Sequence, residues 1–194
     1  SNSSPWDNLK FDLDGVQESQ RKFLGTLYNT YGFFAIYANI DNYQFDSTRV
    51  ISKENRSELD RWIMSKLNSL VHEVTNSLND YDPTKGSRLI EEFVGEELSN
   101  WFVRLSRRVF WKGELNEDKL AAYDTLFTCL NTLSKIIAPV VPFFSDWLFR
   151  ALNNHKIHQG SEVESVHLTD WPQVDRSWID TDLESKMARA QLVS

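Results

Sequence analysis

Ser99-Asn-Trp-Phe-Val-Arg-Leu-Ser-Arg-Arg-Val-Phe-Trp111 carries two helical patterns at once. Leu98, Phe102, Leu105 and Val109 recur at intervals of three and four, which predicts one side of an α-helix turned to a core. Asn100, Arg104, Arg107, Arg108 and Trp111 recur at the same intervals, so these side chains share a second face. With Lys112 included, residues 99–112 hold four cations and no carboxylate, in a chain whose net charge is −7. A core needs only the apolar side. Guanidinium groups beside indoles suit a phosphate backbone with unstacked bases. The same residues also allow a solvated basic face whose aromatic edges pack on a neighbour.

Toward the N-terminus, further helices are predicted. Asp14 with Gln17 three residues on spells a capping box, and Val16, Phe23, Leu27, Tyr31 and Phe34 line one side of a helix from about Gly15 to Ala38. Arg21, Lys22 and Asn29 lie on the same helix. A polar connection, 41–55, leads to a helix capped by Ser57, with Leu59, Ile63, Leu67, Leu70, Val74 and Leu78 as a nearly heptad seam. Asp82 as N-cap and Pro83 in the first turn open the helix that ends in the basic face, and Gly113 stops it.

Toward the C-terminus, Asn116 caps a helix with the stripe Leu120, Tyr123, Leu126, Phe127, Leu130, Leu133 and Ile137. Pro139 and Pro142 force a break, after which Phe143, Phe144, Trp147, Leu148, Ala151 and Leu152 resume an apolar face. From Asn153 the pattern fails, and the region of His155 and His158 is expected to be a loop. Ser165 to Pro172 is expected to be extended, and Asp180 opens a last helix with no stop signal before Ser194. The chain therefore reads as a segment of a longer protein.

The expected fold class is all-α, an antiparallel helix bundle with a short C-terminal extension. Its divisions fall at 1–13, an irregular lead-in; 14–155, the bundle; and 156–194, the extension. Only 7 Gly and 5 Pro in 194 residues suit long helices better than a turn-rich β fold. Cys129, the one cysteine, excludes an internal disulfide and a cysteine-based metal site, and its apolar stripe predicts a buried, inert thiol. No run approaches the roughly 20 apolar residues of a membrane span, and no signal peptide is spelled, so no membrane partner is expected and the default compartment is the cytoplasm.

The acids are unevenly placed. Residues 160–185 hold seven carboxylates against Arg176, an asymmetry that would orient a polyanion on the molecule. Phosphate-loop, dinucleotide, nucleophile-elbow and zinc-protease spellings are all absent. The four histidines form no ligand set with cysteine, and Glu91, Glu92, Glu96 and Glu97 lack the Glu-x-x-His partners of a di-metal bundle, so they are expected to form a solvated acidic face. No metal, no cofactor and no catalysis are expected of this chain alone.

Several stretches then take on a family likeness: Pro5-Trp-Asp-Asn-Leu-Lys-Phe-Asp12, Arg21-Lys-Phe-Leu-Gly-Thr-Leu-Tyr-Asn-Thr-Tyr31, Leu59-Asp-Arg-Trp-Ile63 and Tyr81-Asp-Pro-Thr-Lys85. Leu98 to Arg108 with Trp111, Ala138-Pro-Val-Val-Pro-Phe143 and Glu164-Ser-Val-His-Leu-Thr-Asp-Trp-Pro172 continue the series in order. The chain resembles the anticodon-binding domain of class I aminoacyl-tRNA synthetases. The spelling Ser-Val-His-Leu-Thr-Asp-Trp-Pro is similar to the isoleucyl branch. The resemblance implies a helical bundle that grips the anticodon stem and loop of an isoleucine tRNA. Its parent would join isoleucine to that tRNA with ATP and magnesium, its catalytic motifs lying outside this chain and acting in cis. Carried over by position, the tRNA-facing residues are Asn29, Trp101, Arg104, Arg107, Arg108 and Trp111, with Asn100 as a further base reader and Arg21 and Lys22 as stem-phosphate contacts. A monomer is expected. The alternatives are the equivalent domain of a valyl or leucyl enzyme, and a helical protein–protein interaction module.

Overall fold

A computed structural model describes residues 13–158 and 163–193, all helix and connecting turns with no strand among them. The lead-in before Leu13 and the stretch 159–162 lie outside the described residues, as do the side chains of Val16, His155 and His158. The first helix comprises α1 (Leu13–Ser19), a π-helical stretch (Gln20–Gly25) and α2 (Thr26–Ile40). It is already running at Leu13, so Asp14 sits in a helical turn and not at the cap the sequence predicts. Then come α3 (Glu58–Asn79), α4 (Pro83–Glu92), a second π-helical stretch (Phe93–Val103), α5 (Arg104–Trp111), α6 (Glu117–Ile136), α7 (Pro142–His158) and α8 (Thr181–Val193). The expected antiparallel all-α bundle is what forms.

Helix starts follow the local chemistry. Ser57 Oγ accepts the Asp60 N–H at 3.1 Å, Asp82 Oδ1 the Lys85 N–H at 2.9 Å, Asn116 Oδ1 the Lys119 N–H at 2.9 Å and Asp180 Oδ1 the Leu183 N–H at 2.9 Å. Between α6 and α7 the chain breaks over residues 137–141, as the two prolines require. Two local expectations are corrected. The helix α7 runs on to His158, where a loop is expected, and Val166–Leu168 forms a 3-10 turn where an extended segment is expected.

Packing is tightest where α3 meets α4 and α6, and where α6 meets α7. Trp62, Phe93, Phe102, Phe110, Tyr123 and Leu130 are sealed in the core. Across the bundle from α3, α2 lies on α6 and on the Phe93–Val103 stretch. Gln20–Gly25 packs on that stretch, while Phe33 and Tyr37 meet Phe110 at 5.1 and 6.2 Å between ring centroids, so α2 runs in the same sense as α5.

The π-helical stretch changes the predicted core stripe. Bonding from i to i+5 lengthens each turn, so Phe93, Leu98 and Val103, five apart, come to one buried side with Val94 and Phe102. The longer turn rotates everything after it. Ser106 and Phe110 are the buried residues of α5, whereas Leu105, expected in the core, is 47 % exposed. Val109 is only partly buried.

The C-terminal extension is a strap on α3. Ser65 Oγ accepts the Asp180 N–H at 2.8 Å and donates to Glu184 Oε1 at 2.5 Å, and Ser69 Oγ donates to the same carboxylate at 3.0 Å. Asn68 Oδ1 accepts the Asp175 N–H, and the Trp171 indole N–H donates to Thr75 Oγ1, both at 2.9 Å. Arg56 lies over the Trp178 ring at 5.3 Å, closing the strap onto the 41–57 connection. A polar row on α3 thus binds the extension, which supplies both partners of the buried Ser65 hydroxyl and the donor to the buried Asn68 carbonyl.

Candidate nucleic-acid interface

The rotated α5 leaves its cationic side in water. Arg104, Arg107 and Arg108 are exposed, and none forms an ion pair with a described carboxylate. Trp111 is 61 % exposed, one turn beyond Arg107 and Arg108. Trp101 is partly buried against the core, with the Arg104 guanidinium 5.5 Å above its ring. That cation–π contact orders both groups while the guanidinium N–H donors stay available. Leu105 emerges beside them as an exposed apolar contact.

The remaining predicted residues are placed less uniformly. Asn100 is exposed, but its carboxamide donates to Glu96 Oε2 at 3.1 Å, leaving its carbonyl as the open group. Asn29 is exposed on the outer side of α2, away from buried Leu27, Thr30 and Phe34. Its helix runs in the same sense as α5 and meets it through Phe33 and Tyr37 on Phe110. Arg21 is exposed without an ion pair among the described residues, whereas Lys22 is 2.6 Å from Glu18. An exposed pair of that kind is screened and weak, and it leaves the ammonium accessible to a phosphate.

The end of this face is braced from beneath. The Lys119 ammonium is 2.6 Å from Asp41 Oδ2 and donates to the Gly113 carbonyl at 3.3 Å, and the Tyr123 hydroxyl donates to the same Asp41 oxygen at 2.5 Å. This ties the end of α2 to the turn that follows Trp111. Burial pushes the Asp41 carboxyl up, but the hydrogen bonds from Lys119 and Tyr123 outweigh it and hold the group below the usual carboxylate range.

The acid-rich extension lies along α3. Of the expected solvated acids, Glu91, Glu92 and Glu96 are exposed, but Glu97 is half-buried and 2.7 Å from Lys66. Among the described residues no group of histidine, cysteine or carboxylate side chains is arranged to hold a metal ion, and no helix is long and apolar enough to cross a membrane.

Sequence reasoning missed one further exposed group. Tyr28 of α2 stacks on Trp147 of α7, with Phe143 projecting beside them. The available signal was the crowding of Phe143, Phe144 and Trp147 within five residues, more aromatic surface than one buried stripe accommodates.

Comparison with known proteins bears on what such a surface binds. A family model described as the anticodon-binding domain of tRNA ligase matches residues 60–194. Over 194 residues, 100 % of its length, the chain is 54 % identical to the isoleucine–tRNA ligase of Cytophaga hutchinsonii, of which it covers 17 %. It is 51 % identical, again over its whole length, to that of Bacteroides thetaiotaomicron, covering 16 % of it. Against that of Dehalococcoides mccartyi the identity is 47 % over 190 residues, 98 % of the chain and 18 % of the relative. The chain thus spans about a sixth of the length of these relatives.

Proposed function

The chain belongs to the family of tRNA-ligase anticodon-binding domains, and from that premise we propose that its α5 face holds the anticodon stem and loop of an isoleucine tRNA. One observation carries the reading: three exposed guanidinium groups without carboxylate partners share a helical face with an exposed indole, on a molecule of net charge −7. In this reading Arg104, Arg107 and Arg108 contact loop phosphates, and Trp111, with the exposed edge of Trp101, stacks on an unpaired base. Asn29 and the Asn100 carbonyl read base edges, while Arg21 and Lys22 lie where the stem would pass.

The parent protein, by the same reading, is a cytoplasmic isoleucine–tRNA ligase, with this bundle and its strap acting in cis with the catalytic part. ATP and magnesium would serve that part. In this reading the role of the present chain is to bind and orient the RNA.

Fluorescence anisotropy with labelled anticodon stem-loops tests the proposal. The 194-residue chain is expected to bind the isoleucine stem-loop more tightly than the same stem carrying a valine or leucine anticodon. Equal affinity for all three would overturn the specificity, and no binding would overturn the RNA reading.

A further inference from the structure

A second surface lies on the other flank of α2. Tyr28 and Trp147 stack with centroids 5.5 Å apart and planes 25° from parallel, and Tyr31 meets the same indole edge-on at 5.2 Å. These rings are not sealed: Tyr28 is 54 % exposed, Trp147 40 % and Phe143 90 %. Beside them a groove follows the α2–α7 seam in two connected hollows that share Tyr31, Ala151 and Asn154. The hollow at the Phe143 end measures about 600 Å³ and the one at the Asn42 end about 280 Å³.

The rim chemistry narrows the occupant. Arg150, Asn39, Asn42, Gln44 and Asn154 are exposed along it, and the four carboxamides have no hydrogen-bond partner among the described residues. Asp146, the carboxylate of the groove, is engaged elsewhere, accepting from Ser165 Oγ at 2.6 Å and from the Val166 N–H at 3.0 Å. Arg150 stands 3.8 Å from its second oxygen, too far for a tight pair. An aromatic wall with one open guanidinium and paired donor–acceptor amides matches a nucleobase and its phosphate better than an apolar peptide, which would call for an apolar rim.

We propose that the α2–α7 groove takes one unstacked nucleobase of the RNA held by α5, with the base against Phe143 and Trp147, its phosphate on Arg150 and its edge at Asn154. The inference rests on the RNA reading of α5, since α2, which lines the groove with Tyr31, also packs on α5 through Phe33 and Tyr37. An RNA loop that crosses α2 touches both.

The test places the fluorescent base 2-aminopurine at each loop position of the anticodon stem-loop in turn and titrates it with the 194-residue chain. Stacking in the groove is expected to quench one position several-fold, and Phe143→Ala to restore most of that signal. Arg150→Ala is expected to weaken binding about fivefold and to lower the salt slope by about 0.7, the single-strand value for one phosphate. Phe143 and Arg150 are exposed, and unchanged melting of both variants will show that folding is intact. Arg104→Ala with Arg108→Ala will weaken overall binding while, at saturation, the groove position stays quenched. If Phe143→Ala and Arg150→Ala leave quenching and affinity unchanged while the α5 variant loses binding, the groove assignment is overturned. If the unaltered chain binds no stem-loop, both readings fall.

Discussion

Lys119 and Asp41 form an ion pair of 2.6 Å although their side chains retain only 4 % and 12 % of their accessible surface. They come from helices far apart in sequence, and the contact sets where the α5–α6 turn sits relative to α2. The position of Trp111 thus depends on a polar contact beneath the surface it is proposed to serve.

Breaking that pair from one side should be costly. Lys119→Met leaves the Asp41 carboxylate largely inaccessible and without its cation, and is expected to destabilise the chain by about 3 kcal/mol in urea unfolding. Adding Asp41→Asn should restore part of the loss, because the uncompensated charge is then removed. Since the Asp41 pKa is lowered by folding, its stabilising contribution is present above the unfolded carboxylate value of about 4 and is lost as pH falls through the folded value. The acid limb of the stability profile below about pH 4 should therefore flatten in the double variant.

The arginine face should separate binding from stability. Exchanging Arg104, Arg107 and Arg108 together for Ala removes exposed groups without ion pairs, so the melting free energy should change by no more than about 0.5 kcal/mol per site. Binding of the anticodon stem-loop should weaken, with its logarithmic salt slope becoming shallower by about 2, or about 0.7 for each phosphate contact. An unchanged slope would remove these residues from the interface.

Trp111 contributes through stacking, not charge. Trp111→Ala is expected to cost about 1–3 kcal/mol of RNA affinity, with the salt slope unaltered. Trp111→Phe should recover part of that affinity. A loss accompanied by a changed slope would mean that the substitution had disturbed the arginines.

The strap depends on Ser65. Ser65→Ala removes one bond to the Asp180 N–H and one to Glu184, and should cost about 1–3 kcal/mol. The loss should loosen α8 first, so limited trypsin digestion is expected to cut sooner after Lys186 and Arg189 while α3 and α6 stay protected.

Cys129 offers a check on the core. Its thiol is fully buried, and burial pushes its pKa well above the ordinary thiol range. Alkylation should proceed only at the rate of unfolding, and urea should accelerate it in step with loss of helix. Fast labelling in native buffer would contradict the packing around α6.

Helix identity and helix boundaries were largely legible because they depend on neighbours a few residues away. Ser57, Asp82, Asn116 and Asp180 cap the helices they precede, and Pro139 with Pro142 breaks the chain where steric exclusion demands. The cationic face was legible for the same reason, since Arg104, Arg108 and Trp111 sit opposite buried residues in any helical phase close to the one observed. Leu105 was not, because a regular helical period carries no sign of the longer turns in Phe93–Val103 that rotate it into solvent.

Local sequence alone therefore determined that this protein is a chain of capped amphipathic helices with one basic, indole-bearing side: propensity, capping and periodicity act over a single turn or two. Tertiary structure alone decided that Ser65 and Asn68 bind a strap, that Lys119 braces Asp41, that Leu105 turns outward and that Tyr28 finds Trp147. Each of these joins residues distant in sequence or depends on helix phase, and such outcomes are set by which arrangement buries the most apolar surface while leaving few interior polar groups without a partner.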